Sequence, residues 1–303
     1  MAHTNNVIQL ENQGWDERIL VFANDALVQT FIVITKRYVV IVDTLINEVT
    51  GAKLLAAAKP YLTESRTLLV INSHADYDHA WGNQLFAGPT AVHPAPIIAH
   101  KESPKHFREY EAKRAETVSK DEPEIFGNLR ITEPTLTFAD SMTIDGGDLT
   151  LELIYTPGHT DDHIAVYIPE IKTLLAMDAA EPPYPFARTD AGLPAMRDSL
   201  AKLAALDCET VLYCHAPVAV GRQLILDNIA YFDTIERACQ AALDNGLDPT
   251  AIPKESNAYI KAVGISYDDI ITAPPSWPEI GDGYKGEGHA VQLRAMLAYL
   301  AGA

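Results

Sequence analysis

His74-Ala75-Asp76-Tyr77-Asp78-His79 places two imidazoles and two carboxylates within six residues. The segment follows the apolar run Leu68-Leu69-Val70-Ile71, which is short, unbroken by charge and reads as a buried strand. The four ionisable side chains are therefore expected on a turn at a strand's carboxyl end, with helix-like sequence resuming at Ala80-Trp81-Gly82-Asn83. Burying so many ionisable groups beside a core is costly unless something pairs them. A divalent metal does so directly, and neutral imidazole and carboxylate are ligands that zinc, manganese and iron accept. A single His near a single Asp would read as an ordinary solvated loop; this cluster reads otherwise because the pattern recurs.

The strand Leu149 to Tyr155 runs into Thr156-Pro157-Gly158-His159-Thr160-Asp161, again a strand, a tight turn, a His and a carboxylate two residues on. Thr173 to Met177 delivers Asp178, and Thr210-Val211-Leu212-Tyr213-Cys214 delivers His215. His74, Asp76, Asp78, His79, His159, Asp178 and His215 thus come from four strand ends, where Gly, Asn or Ser would be the usual residues. They suffice for two metal ions.

The 303 residues are 48% hydrophobic and 21% charged, an ordinary globular composition with material for a large core. The net charge of -18 argues against nucleic acid or an anionic membrane as partner. Its plain reading is solubility in a cytosol. Cys208, Cys214 and Cys239 lack framework spacing and suggest free thiols in a reducing compartment. Met1 to Gly14 has no apolar stretch of the signal-peptide kind, and no apolar run approaches the roughly 18 residues of a membrane span. The expected partner is a small-molecule substrate, and the expected location is cytoplasmic. The sequence leaves room for a homo-oligomer.

Residues 18 to 42 are β-branched and aromatic and suggest an antiparallel meander, with turns at Asn24-Asp25 and Thr35-Lys36-Arg37. Glu48 to Tyr61 reads as a helix, and Ser103 to Lys120 as a charged helical insertion. Leu136 to Ile144 is expected as one strand, joined to Leu149 to Tyr155 across Gly146-Gly147. Glu181 to Pro194, with Tyr184, Phe186 and Arg188, has the length and composition of a functional loop. Ala195 to Leu206, Arg222 to Asn245, Ala258 to Val263 and Ala290 to Leu300 read as helices. No linker is evident, so residues 1 to 303 are expected to form one domain, helical beyond about residue 221.

Ser73 to His79, Thr156 to Thr160, Met177-Asp178 and Tyr213 to His215 together resemble the metallo-β-lactamase superfamily of hydrolases in order and strand context. The resemblance implies an α/β fold, the αββα four-layer sandwich, with the site at one open edge between two sheets. It also implies roles: His74, Asp76 and His159 for a first metal, Asp78, His79 and His215 for a second, and Asp178 bridging. The expected cofactor is two divalent ions, zinc first, with manganese or iron as alternatives. In place of the family's second imidazole stands Asp76, which adds a negative charge and tilts preference toward harder metals.

The resemblance implies hydrolysis. Two close metals lower the pKa of a shared water, so no Ser or Cys nucleophile is needed. Asp78 is expected to orient that nucleophile and pass its proton to the leaving group. The extra carboxylate favours ester, lactone or related acyl substrates over strongly anionic ones such as phosphodiesters. The alternatives are a non-haem iron dioxygenase or another redox member of the fold, a non-catalytic binding protein, and β-lactamase or phosphodiesterase activity. Asp43 is expected to hydrogen-bond a ligand rather than bind metal, and His163 to do that or to pack in the core. Tyr184 and Phe186 would line a substrate wall or pack their own loop. Tyr77 and His289 read as structural, Cys214 as a small buried residue, and His106 has no role.

Overall fold

A computed structural model describes residues 3–188, 192–217, 221–273, 277 and 280–302. The strands are β1 (Ile8–Gln9), β2 (Ile19–Asn24), β3 (Val28–Ile34), β4 (Tyr38–Val42), β5 (Thr67–Ile71), β6 (Ile97–His100), β7 (Leu136–Phe138), β8 (Ser141–Asp145), β9 (Thr150–Tyr155), β10 (Ile164–Ile168), β11 (Thr173–Met177) and β12 (Thr210–Tyr213). The α-helices are α1 (Glu48–Ala58), α2 (Tyr77–Ala80), α3 (Ser103–His106), α4 (Ala112–Asp121), α5 (Pro123–Phe126), α6 (Gly192–Ala204), α7 (Gln223–Asp244), α8 (Ser256–Val263) and α9 (His289–Gly302).

The first sheet runs β1 to β7 in chain order, and the second runs β12-β11-β10-β9-β8. The meander expected from residues 18 to 42 is present, because β2, β3 and β4 pair antiparallel. From β4 to β7 the pairing becomes parallel. The second sheet is antiparallel except for β11 and β12, which pair parallel.

Strand periodicity sorts the apolar residues into two cores. Ile164, Val166, Leu175 and Leu212 face the first sheet and join Val21, Phe31, Val40 and Val70 between the sheets. Their neighbours Ala165, Tyr167, Leu174, Ala176, Val211 and Tyr213 face outward, where α6, α7 and α9 cover them with Leu200, Phe232, Ile235 and Met296. Each such Leu, Ile or Phe contributes about 1.5–3 kcal/mol relative to exposure. Double burial explains why β10 to β12 read as unbroken apolar runs. Helix α1 lies over the other sheet through Leu54, Leu55 and Ala58. The architecture is the αββα sandwich. Among the described residues no helix is long and apolar enough to cross a membrane.

Three local expectations are corrected. Residues 136 to 144 are not one strand: β7 ends the first sheet and β8 opens the second, so the chain changes sheets at Ala139-Asp140. His100 secures the crossing, with Nε2 2.5 Å from the Ala139 carbonyl and its ring stacked 3.9 Å from Tyr155. Secondly, the helix after β5 begins at Tyr77, so Asp78 and His79 sit on its first turn rather than before it. Asp76 is its N-cap, but its carboxylate caps no backbone N–H and is left free for other partners. Thirdly, the loop expected over Glu181 to Pro194 is shorter, because α6 already starts at Gly192 and tolerates Pro194 in its first turn. Residues 189–191 of that loop lie outside the described residues.

Candidate metal centre

Four strand exits aim side chains into one cleft at the edge of the two sheets. At the end of β4, Asp43 adopts a left-handed backbone (φ 68°), and Met177 at the end of β11 does the same (φ 52°). Such conformations cost of order 1–3 kcal/mol in non-glycine residues and cluster at sites whose surroundings hold them in place. Beyond β5, Asn72 exchanges amide hydrogen bonds with Asn83 at 2.8 and 3.1 Å, tying the strand exit to the turn after α2. Gly158 takes φ 140° against α6, where an added Cβ would run into the Met196 backbone. This close approach sets His159.

Three of the four convergent imidazoles have a fixed tautomer. His79 Nδ1 lies 2.8 Å from Asp43 Oδ2, and His215 Nδ1 lies 2.8 Å from the Leu27 carbonyl. Both nitrogens therefore carry the proton and leave Nε2 bare. Ser73 Oγ donates to Asp43 Oδ2 at 2.8 Å, so its 2.9 Å contact with His74 accepts a proton from Nδ1. The backbone N–H of Ser73 also donates to Asp43 Oδ1 at 2.7 Å. Asp43 thus orients two rings, as its sequence position suggested. His163 Nε2 accepts the backbone N–H of Asp178 at 3.1 Å, while its Nδ1 faces Thr156. Burial and the nearby His74 hold its proton affinity well below the ordinary histidine value, so it stays a neutral acceptor.

The bare Nε2 atoms converge on the carboxylates. Asp178 Oδ2 is central, at 3.6 Å from His74, 3.4 Å from His159 and 3.3 Å from both His79 and His215. Asp76 Oδ2 lies 3.6 Å from His74 Nε2 and 3.8 Å from His159 Nε2. Asp78 Oδ2 lies 3.8 Å from His79 Nε2 and 3.4 Å from His215 Nε2. His79 and His215 face each other, Nε2 to Nε2, at 3.3 Å. All seven residues expected from the sequence are therefore brought together.

These spacings fit divalent ions better than a hydrogen-bonded cluster. Tetrahedral N and O ligands about 2.0–2.2 Å from zinc stand roughly 3.3–3.6 Å from one another. His74 Nε2 and Asp178 Oδ1 are buried and have no hydrogen-bond partner. Two imidazole nitrogens 3.3 Å apart repel unless a proton or a metal ion sits between them. The proton affinities express the same demand. Burial pulls His79 and His215 down, yet Asp178, Asp78 and further carboxylates outweigh it, raising His79 well above its ordinary value and His215 to about 10. Burial pushes Asp178 up, but His79 and His215 hold it well below the carboxylate range.

Two residues in the site escaped the sequence assignment. Arg188 reaches in from the loop after β11: Nη2 hydrogen-bonds Asp76 Oδ2 and lies 3.1 Å from His159 Nε2, while Nη1 is 3.3 Å from Asp76 Oδ1. Glu181 stands behind His159, Oε1 to Nδ1 at 3.7 Å, and burial beside Asp178 raises its pKa. The available signal was their position on the loop that leaves Asp178. On that loop Tyr184 is a core residue: it is buried, stacked 4.8 Å from Tyr231, and donates its hydroxyl to the Tyr284 carbonyl at 2.6 Å. Phe186 packs on Tyr184 at 5.2 Å. Tyr77 packs against Trp81 beneath the Arg114 guanidinium, which lies 3.8 Å from its ring. His289 is buried between the Tyr231 hydroxyl and the Ile265 carbonyl, and Cys214 is buried beside Met177.

A sequence profile described as the Metallo-beta-lactamase superfamily matches residues 24–215. A hydroxyacylglutathione hydrolase of Rhodopseudomonas palustris is 28% identical over 149 residues, 45% of this chain and 56% of that protein. The chain spans about half the length, or less, of the curated relatives it matches. Among solved structures, a metallo-beta-lactamase family protein of Thermus thermophilus superposes with a TM-score of 0.61 at 20% identity, over 98% of this chain and 93% of that one. A beta-lactamase domain protein of Burkholderia ambifaria gives 0.66 at 15% identity, over 97% and 88%.

Proposed function

Because this chain belongs to the metallo-beta-lactamase superfamily, we propose that it is a metal-dependent hydrolase of a small molecule, cleaving an ester, lactone, thioester or related acyl bond. One observation carries this reading: the Nε2 atoms of four imidazoles and the carboxylates of Asp76, Asp78 and Asp178 converge with spacings of 3.3–3.8 Å. The curated relatives named hydroxyacylglutathione hydrolase support an acyl substrate.

In this reading His74, Asp76 and His159 would hold one cation and Asp78, His79 and His215 another, with Asp178, the neighbour of all four imidazoles, available to both. Divalent ions there supply Lewis acidity toward an acyl carbonyl and make water a nucleophile near neutral pH. The rest falls to the chain itself. Asp43 and the Leu27 carbonyl keep the His79 and His215 lone pairs pointed inward, and His163 fixes the main chain that carries Asp178. Asp78 lies at the rim beside His215, whose side chain keeps 20% of its surface open. Its carboxylate takes the proton of the attacking water and delivers it to the leaving group.

The test is metal analysis of protein purified without added metal, then chelation, reloading with zinc or manganese, and a panel of lactones, aryl esters, thioesters, phosphodiesters and a chromogenic cephalosporin. Turnover of an acyl substrate that chelation abolishes and Asp78→Ala lowers by roughly 10²–10⁴-fold is expected. Metal-loaded protein that consumes oxygen and hydrolyses none of the panel would overturn the proposal.

A further inference from the structure

We propose that Arg188 is the resident cation of the Asp76–His159 half of the site. The chain then holds one divalent ion firmly, between His79, His215, Asp78 and Asp178, and admits a second only when Arg188 withdraws. This rests on the metal-dependent reading above and concerns what that reading leaves open, the number of ions.

The guanidinium engages two of the three groups that would ligate the first ion, Asp76 and His159. Its Nη2 touches Asp76 Oδ2 and His159 Nε2, and Nη1 reaches the other oxygen of Asp76. Two cations cannot use the same lone pairs, so the guanidinium and an ion exclude each other there. The other half is different: among the described residues no Lys or Arg hydrogen-bonds or ion-pairs with Asp78, His79 or His215, and Arg188 reaches Asp78 and Asp178 only as a through-space charge.

The residue that departs from the family pattern is the one Arg188 grips. A carboxylate offers a planar guanidinium two acceptors, whereas an imidazole offers one lone pair. Asp76 and Arg188 thus read as a matched pair. The pairing also balances the charge that Asp76 brings to the site. The loop is built to deliver it: Glu181 and Asn228 exchange backbone and amide hydrogen bonds at 3.0 and 3.1 Å, and Tyr184 is tied to Tyr284. The Arg188 side chain keeps 45% of its surface open to solvent, so it can leave without breaking the core.

The experiment is a calorimetric zinc titration of the metal-free 303-residue chain, with metal retained after dialysis counted in parallel, for wild type, R188A and R188M. Both variants remove the charge, and R188M keeps an apolar stem in case truncation unsettles the loop. Wild type should retain about one equivalent and bind a second ion about tenfold or more weakly; either variant should retain about two. Wild type retaining two, or variants binding their second ion no more tightly than wild type, overturns the assignment. Uptake of no divalent ion by any of the three chains overturns the metal-dependent reading itself, a distinct result.

Discussion

Oδ2 of Asp43 lies 2.8 Å from Nδ1 of His79, with both side chains fully closed to solvent. The contact decides which nitrogen of His79 faces the cleft. Asp43→Asn should weaken divalent-ion binding by about 10–100-fold. Asp43→Ala also strands the Ser73 donors and should cost about 3 kcal/mol in urea unfolding of the metal-free protein. Unchanged zinc affinity in Asp43→Asn would show that the ring is held by other means.

His163 packs its ring 5.2 Å from that of His74, and its Nε2 holds the Asp178 N–H. His163→Ala leaves that buried donor without an acceptor and should destabilise the fold by about 1–3 kcal/mol. Metal affinity should fall with it, because Asp178 is the common neighbour of all four imidazoles. A variant that melts earlier but binds metal as wild type does would confine His163 to packing.

Glu111 predicts a pH dependence. Burial, with Asp76 nearby, raises its pKa from 4.5 to about 8. Between those values the unfolded chain releases this proton and the folded chain keeps it. Its contribution is therefore undiminished below about pH 4.5, falls as pH rises, and levels off above about pH 8, a loss of a few kcal/mol at most. Glu111→Gln should flatten the fall of Tm between pH 5 and 8 and be the more stable protein at pH 8.5. Parallel Tm profiles for the two proteins would refute it.

Gly158→Ala tests the close approach of the His159 turn to α6. A methyl group there would meet the Met196 backbone, with N at 2.6 Å and Cα closer still. Neither atom is a flexible side-chain end. A loss of about 3 kcal/mol or more is expected, with weaker metal binding through His159. Wild-type stability would mean that α6 shifts freely.

Much of this site was legible because its donors lie at the ends of apolar strands, where period-2 patterning marks the exits. Asp178 and His215 follow runs buried on both faces, so their positions were fixed once β11 and β12 were recognised. Asp43 was legible for the same reason. Arg188 was not, since its partner is 112 residues away and only the path of the loop brings them together. Counting the charge of Asp76 from the motif alone consequently left out the guanidinium that offsets it. The break between β7 and β8 was hidden as well: Leu136 to Ile144 is continuous in β propensity, and the change of sheet is secured by His100, far upstream. Tyr184 has the composition of a pocket wall, and only the packed C-terminal helices reveal it as core.

Tyr184, Asn228 and Tyr284 together join the Arg188 loop to helices outside the matched segment 24–215. On the assignment of Arg188 given above, those helices become a dial on metal stoichiometry. Grafting them from a relative, with every ligand left in place, could turn a one-ion protein into a two-ion one, so divergence in this tail is a route to new chemistry that never touches the ligands themselves.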